Sequence, residues 1–174
     1  ATAIEPKWLE EMFPQHLTAR VEHLFDRTHK RVAAVKLVRF LDLVIAHEHQ
    51  RETDPAAAGR CLADAFGRGW IELPNLNHEV RQFIGRVRLM RHTSPDLEFP
   101  EFDAAAIQRC VARALNGCTL VREAIAADLL PAFRRHLPDG QLAWLDELAP
   151  LSVTTADGKK LKLQYASGEE PGEP

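Results

Sequence analysis

The sequence predicts an α+β protein: mainly an α-helical bundle, with an antiparallel strand pair before it and a β-hairpin after it. Three observations carry this reading. Apolar residues recur at helical spacing, broken by capping signals, from about residue 54 to residue 149. A Val-rich alternating stretch occupies residues 18–48. A basic two-stranded segment turns over at Asp157-Gly158, just before an acidic Gly/Pro-rich tail.

The elements follow in chain order. Glu5 to Phe13 reads as a short helix, because Pro6 suits a first turn whose N–H groups have no partner and Trp8, Leu9, Met12 and Phe13 form one apolar face. Pro14 ends it. In residues 17–25, Leu17, Ala19, Val21, His23 and Phe25 alternate with Thr18, Arg20, Glu22 and Leu24. Asp26 to Lys30 reads as a turn, and VAAVKLVRFLDLVIA as the partner strand, since β-branched side chains favour a pleated surface. Residues 1–50 thus hold a helix and two strands.

From Asp54-Pro55 the pattern is helical. Asp54 caps a helix that carries Ala58, Cys61, Leu62, Ala65 and Phe66 inward and stops near Gly67 or Gly69. Trp70, Ile71 and Leu73 form an apolar loop. Asn75 or Asn77 starts a helix with Val80, Phe83, Ile84 and Val87 inward. Pro95 to Pro100 is a linker. Asp103 caps a helix with Ile107, Cys110, Val111, Ala114 and Leu115, closed by Gly117. A helical stretch from Thr119 to about Leu137 is interrupted near Asp128–Pro131, and a last helix begins at Pro138. Residues 54–150 therefore form the bundle, 151–166 a hairpin packed on it, and 167–174 a flexible tail.

The hairpin has a register question. A two-residue Asp-Gly loop would split its apolar residues between two faces. A three-residue loop, Ala156-Asp157-Gly158, pairs Val153 with Leu161 and Leu151 with Leu163, with all four on one face and Gly158 in the left-handed position of a bulged turn. The sequence predicts the three-residue loop, and with it an apolar face that covers the bundle or the strand pair. Lys160 and Lys162 then share the opposite face.

Composition narrows the function classes. With 174 residues and a 45% hydrophobic share, the chain can build a sizeable core. A net charge of −3 gives no global pull toward nucleic acid or anionic membrane. Charge is uneven, however: Arg27, Lys30, Arg31, Lys36 and Arg39 crowd the strand region. No apolar run is long enough to span a bilayer, and the start has no secretory signal pattern. It has no initiator Met either, which suits a processed chain and a piece of a longer one equally. Cys61, Cys110 and Cys118 read as small core residues in a reducing cytoplasm.

No GxxxxGK(S/T), GxGxxG, GxSxG or HExxH motif is present, so no cofactor or catalytic site is expected in this chain. His47 and His49 would point to one side of a strand and could share a metal, but no third ligand is evident beyond the following Glu52 and Asp54; a polar strand end is the plainer reading. The helix from His78 to His92 carries Arg81, Arg86, Arg88 and Arg91 against Glu79, with Arg81 and Arg88 two turns apart on one face; a phosphate-facing stripe would look like this, but an ordinary solvated face is the plainer reading. Tyr165 could stack on a base, although packing is the plainer role. Nothing in the spacing of Cys110, Cys118 and His136 orients a base on a thiol.

Taken in order, several blocks resemble the C-terminal region of HrpB-type bacterial ATP-dependent helicases of the DEAH/DExH group. They are IEPKWLEEMFP, RVEHLFD, KRVAAVKLVRFLDLVI, IELPNLNHEVRQFIGRVRLMR, DLLPAFRRHLP, LDELAP and DGKKLKLQY. LDELAP with the Gly turn and the Tyr-ended strand is the most specific. The chain departs at Leu73-Pro74-Asn75 and Leu137-Pro138-Asp139, where the family tends to have Leu-Pro-Trp, and at Ala156-Asp157-Gly158, where it usually has Pro-Ser-Gly. The resemblance implies that residues 1–50 are the later part of an OB-like strand domain. It also implies that motor domains binding ATP and Mg lie N-terminal to Ala1. The chain would then be an accessory domain without a catalytic site of its own, supporting RNA or other single-stranded nucleic acid, or docking to the motor domains in cis. On charge, the candidate nucleic-acid-binding residues are Arg31, Lys36, Arg39, Lys160 and Lys162. A protein-interaction module without nucleic acid remains the alternative.

Overall fold

The computed structural model describes residues 6–166; the predicted flexible tail lies outside them. Helix α1 (Pro6–Met12) leads through a short 3-10 turn into an antiparallel sheet of β1 (Leu17–Asp26), β2 (Arg31–Phe40) and β3 (Leu43–His49), in the order β1-β2-β3. The bundle comprises α2 (Pro55–Gly67), α3 (His78–Thr93), α4 (Ala104–Ala114), α5 (Val121–Ala126), α6 (Leu130–Arg134) and α7 (Asp139–Leu148). The hairpin of β4 (Ser152–Thr154) and β5 (Lys160–Lys162) follows. The mixed α+β class matches the sequence reading.

One element differs. The expected second strand is two strands, joined by a two-residue turn at Leu41-Asp42 in which Phe40 pairs with Leu43 and Leu41 takes φ +54°. Leucine rarely accepts that backbone region, so nothing in the local sequence announces a turn. Tertiary structure supplies the reason: the Leu41 amide donates to His16 O at 3.0 Å, and Phe13, His16 and Phe40 pack ring to ring beside it. Register slips beyond the turn, where Val38 pairs with Ala46 but Arg39 with Val44, leaving Ile45 as a bulge.

The capping signals behave as their chemistry requires. The side chains of Asp54, Asn77 and Asp103 accept from Ala57 N, from Glu79 and Val80 N, and from Ala106 N, satisfying amides that have no helical partner. Helices α2 and α4 approach closely because Gly59 lacks a side chain: a Cβ there would stand 2.7 Å from Ala112 O. The core gathers Leu62, Val80, Phe83, Val87, Phe102 and Phe133, with Phe102 stacked on Phe133 and edge-on to Phe83. Cys110 is fully buried in it, while Cys61 and Cys118 are half-buried; burial pushes all three thiols up.

The sheet joins the bundle by backbone pairing as well as by packing. Val32 N donates to Thr119 O at 2.7 Å, and Val121 N donates to Lys30 O at 3.0 Å. Glu123 holds the connecting residues by accepting from the Thr119 and Leu120 amides, which keeps its carboxyl below the usual range. Val32 and Ala34 are buried under this joint.

Arg86 is the one charged side chain buried among the described residues, at 3% exposure. Its Nε donates to Ala149 O at 2.6 Å, and its Nη2 donates to Leu145 O at 2.9 Å and to Asp146 Oδ1 at 2.7 Å. Both carbonyls lie at the C-terminal end of α7, where the helix dipole is negative; Leu145 O also accepts from Ala149 N, whereas Ala149 O lies past the last helical turn. The bond fixes the exit of α7 and hence the entry to the hairpin.

Two outcomes follow. Arg86→Met should lower unfolding free energy by on the order of 3 kcal/mol in a denaturant titration, from the charge-assisted bonds lost. His136, half-buried beside Phe102, has a depressed pKa through burial first and then Arg113 and Arg109. A depressed histidine binds fewer protons folded than unfolded, so its contribution is complete above about pH 6.5 and lost as pH falls below it. His136→Gln should remove that increment from the stability–pH curve.

Candidate nucleic-acid interface

The hairpin forms as its residues require. Thr155 N donates to Lys159 O and Gly158 N to Thr155 O, closing the three-residue loop with Gly158 at φ +76°. Val153 pairs with Leu161, and Leu163 N donates to Leu151 O. The register matches the sequence prediction, but the expected covering of the apolar face does not occur: Leu151 and Leu161 are 56% and 50% exposed, and Val153 is open too.

What seats the hairpin is its C-terminal strand against α3. Gln82 mimics a neighbouring peptide: its Nε2 donates to Tyr165 O at 3.1 Å, and its Oε1 accepts from Tyr165 N at 2.9 Å. A Cβ on Gly85 would meet Ala166 O at 2.8 Å and Tyr165 O at 3.0 Å, so glycine here is what lets the strand lie on the helix. Tyr165 Oη donates to Pro150 O at 2.6 Å, tying the two ends of the hairpin together. Tyr165 is thus a packing residue.

Between hairpin and bundle lies a groove of about 530 Å³. Lys160 and Lys162 line it from β5, Arg134 from α6, and His78, Glu79 and Gln82 from α3, with Arg86 at its inner wall. Asp146 bridges Arg86 and, at 3.8 Å, Arg134, so the lysines contribute the exposed positive charge. The groove is concave, largely apolar at its base and basic at its rim, which suits a phosphate-bearing strand.

The other predicted bases lie elsewhere. Strand alternation puts Arg31 and Arg39 on one face of the sheet and Lys36 on the opposite one. Arg39 pairs with Glu22 at 2.8 Å and Arg31 with Asp26 at 3.8 Å. The five candidates therefore occupy three surfaces: Arg31 and Arg39 share one, both paired with carboxylates, Lys36 has the opposite face, and Lys160 and Lys162 share the hairpin. The α3 arginines form no phosphate stripe: Arg86 is buried, Arg88 donates to Phe102 O at 2.8 Å, Arg91 pairs with Glu101 at 3.0 Å, and Arg81 donates to Leu76 O. The expectation of a solvated face fails for Arg86, because a long side chain reaches a helix terminus that the local sequence does not reveal. His47 and His49 share a face with ring centres 6.4 Å apart, and among the described residues no three His, Cys, Asp or Glu side chains converge on a metal-sized site. Sequence reasoning missed Gln82 and Arg134; the glycine inside α3 was the signal for the first.

This arrangement, a three-stranded sheet backed onto a helical bundle that a hairpin closes, is a fold found within DEAH/DExH helicases. Two solved structures of Escherichia coli HrpB share it, one described as a DExH-box NTPase and the other as a DEAH/RHA helicase. Each superposes with a TM-score of 0.65, at 16% and 17% identity, over 95% and 91% of this chain. The chain spans about a fifth of their length, 21% in both cases. No family model and no curated protein matches the sequence. No helix among the described residues is long and apolar enough to cross a membrane.

Tyr165→Phe should loosen the hairpin by about 1 kcal/mol, the net worth of one hydrogen bond. Hydrogen exchange should quicken at the β4–β5 amides while those of α2 and α4 stay protected.

Proposed function

We propose that the chain is an accessory domain of an ATP-dependent RNA helicase, without a catalytic site of its own. The carrying observation is the groove in which Lys160 and Lys162 stand across from Arg134. A single strand passing there would meet a rigid basic wall, fixed to α3 through Gln82, Gly85 and Arg86. The fold shared with HrpB supports a helicase context. ATP and Mg would bind in motor domains of the parent protein, in the cytoplasm, and residues 1–50 would belong to an OB-like domain within it.

The open apolar side of the hairpin favours a second role beside the first. Val153 and Leu161 form a short exposed strip on the strand face opposite Lys160 and Lys162, whereas Leu151 and Leu163 line the groove together with the lysines. In the parent protein this strip would dock against a motor domain, leaving the basic face to the RNA.

Salt dependence tests the RNA role. Each neutralised phosphate steepens the log–log salt slope by about 0.7 for a single strand. Lys160→Gln with Lys162→Gln should therefore flatten the slope of single-stranded RNA binding by about 1.4. Fluorescence anisotropy against salt measures it. An unchanged slope, or no binding by the unsubstituted chain at low salt, overturns the proposal.

A further inference from the structure

The end of α2 carries a second feature that the hairpin groove does not use. Helix α2 stops in a motif set by glycine: Trp70 N donates to Ala65 O at 2.9 Å, Gly69 N to Phe66 O at 2.8 Å, and Gly69 takes φ +69°. This reversal throws Trp70 onto the turn between β1 and β2. Phe25 lies nearly parallel to the indole, with centroids 6.4 Å apart at 19°. The Arg27 and Arg68 guanidinium carbons stand 5.1 and 4.9 Å from the ring centre. Trp70 is still 40% exposed.

Beside it is an open pocket of about 420 Å³. Trp70, Pro74, Val121 and Ile125 supply apolar walls, and Lys30 and Glu72 the polar rim. Ile125 is likewise exposed, so part of the apolar wall stands open, while the indole face itself carries the Arg27 and Arg68 guanidiniums. Lys30 sits at φ +50°, a backbone region rarely taken by a side-chain-bearing residue, and is held there because its carbonyl accepts from Val121 N. The turn is stiffened from the other side by Asp26, whose carboxylate accepts from the Thr28 and His29 amides and pairs with the His29 ring at 2.7 Å.

We propose that this pocket takes one unstacked nucleobase of a single strand, which replaces a guanidinium on the Trp70 face, with the displaced arginine and Lys30 taking the flanking phosphates. The inference rests on the nucleic-acid reading of the hairpin groove and adds a base-stacking site to it. Aromatic platforms with adjacent cations hold single strands because every base offers a π-face and every link a charge. Glu72 at the rim repels a phosphate and accepts from a base amino group, so the base enters and the backbone stays outside.

The test uses the full chain carrying Trp8→Phe and Trp144→Phe, both exposed positions, so that Trp70 is the sole tryptophan. A short oligoadenylate should quench its emission, and an abasic strand of equal length should not. In anisotropy with labelled oligoadenylate, Trp70→Ala should weaken binding about tenfold and Trp70→Phe by less, because Phe keeps a stacking face. The quenching readout retains Trp70 and so does not depend on how a substituted chain folds. Binding of both strands with equal affinity and no quenching overturns the pocket while leaving the hairpin groove intact. Failure of both strands to bind overturns the groove reading, and this site with it.

Discussion

Arg86 holding the end of α7 is the interaction on which the rest of the architecture depends. A helix that stops inside a protein leaves carbonyls without partners, and burying them unsatisfied is costly. A guanidinium answers with several donors and a positive charge at the negative end of the helix dipole. Its own desolvation is compensated by Leu145 O, Ala149 O and Asp146. Because Arg86 belongs to α3, the bond makes α3 the reference for everything that leaves α7. Gln82 and Gly85, within a turn of Arg86, then receive the returning strand at Tyr165. One short run of α3 thus sets both ends of the hairpin.

That economy bears on function. A hairpin of three-residue strands has too little surface to be stable alone. Held by α3, it becomes a fixed wall with two different faces. Lys160 and Lys162, with Leu151 and Leu163, enclose a groove with Arg134; Val153 and Leu161 are left exposed. At the other end of the molecule, the sheet is registered to the bundle by the Lys30–Val32 backbone, so the Trp70 pocket is also built on a rigid joint.

The sequence exposed much of this and hid particular parts. The capping residues Asp54, Asn77 and Asp103 were legible because a cap is a local bond between a side chain and amides two or three residues on. The hairpin register was legible because period-two alternation allows only one loop length to gather the leucines. The split between β2 and β3 was not, since Leu41 adopts a strained backbone held by a bond from distant His16. The scattering of the basic candidates was not either. Composition counts charges along the chain, whereas strand parity sent Lys36 to the face opposite Arg31 and Arg39, and Glu22 and Asp26 took up those two arginines.

By itself, the sequence determined the α+β class, the capped starts at Asp54 and Asp103, most of the inward residues and the form of the final turn, all of which are set by interactions spanning a few residues. Only the tertiary structure decided which charges are spent inside the protein and which face outward. It buried Arg86, engaged Arg88 and Arg91, freed Lys160 and Lys162 beside Arg134, and placed Trp70 among Arg27, Arg68 and Lys30. A long charged side chain reaches several ångströms in any direction its helix allows. Its partner is therefore fixed by how elements pack and by which unsatisfied group lies within reach, and the order of residues does not encode that locally.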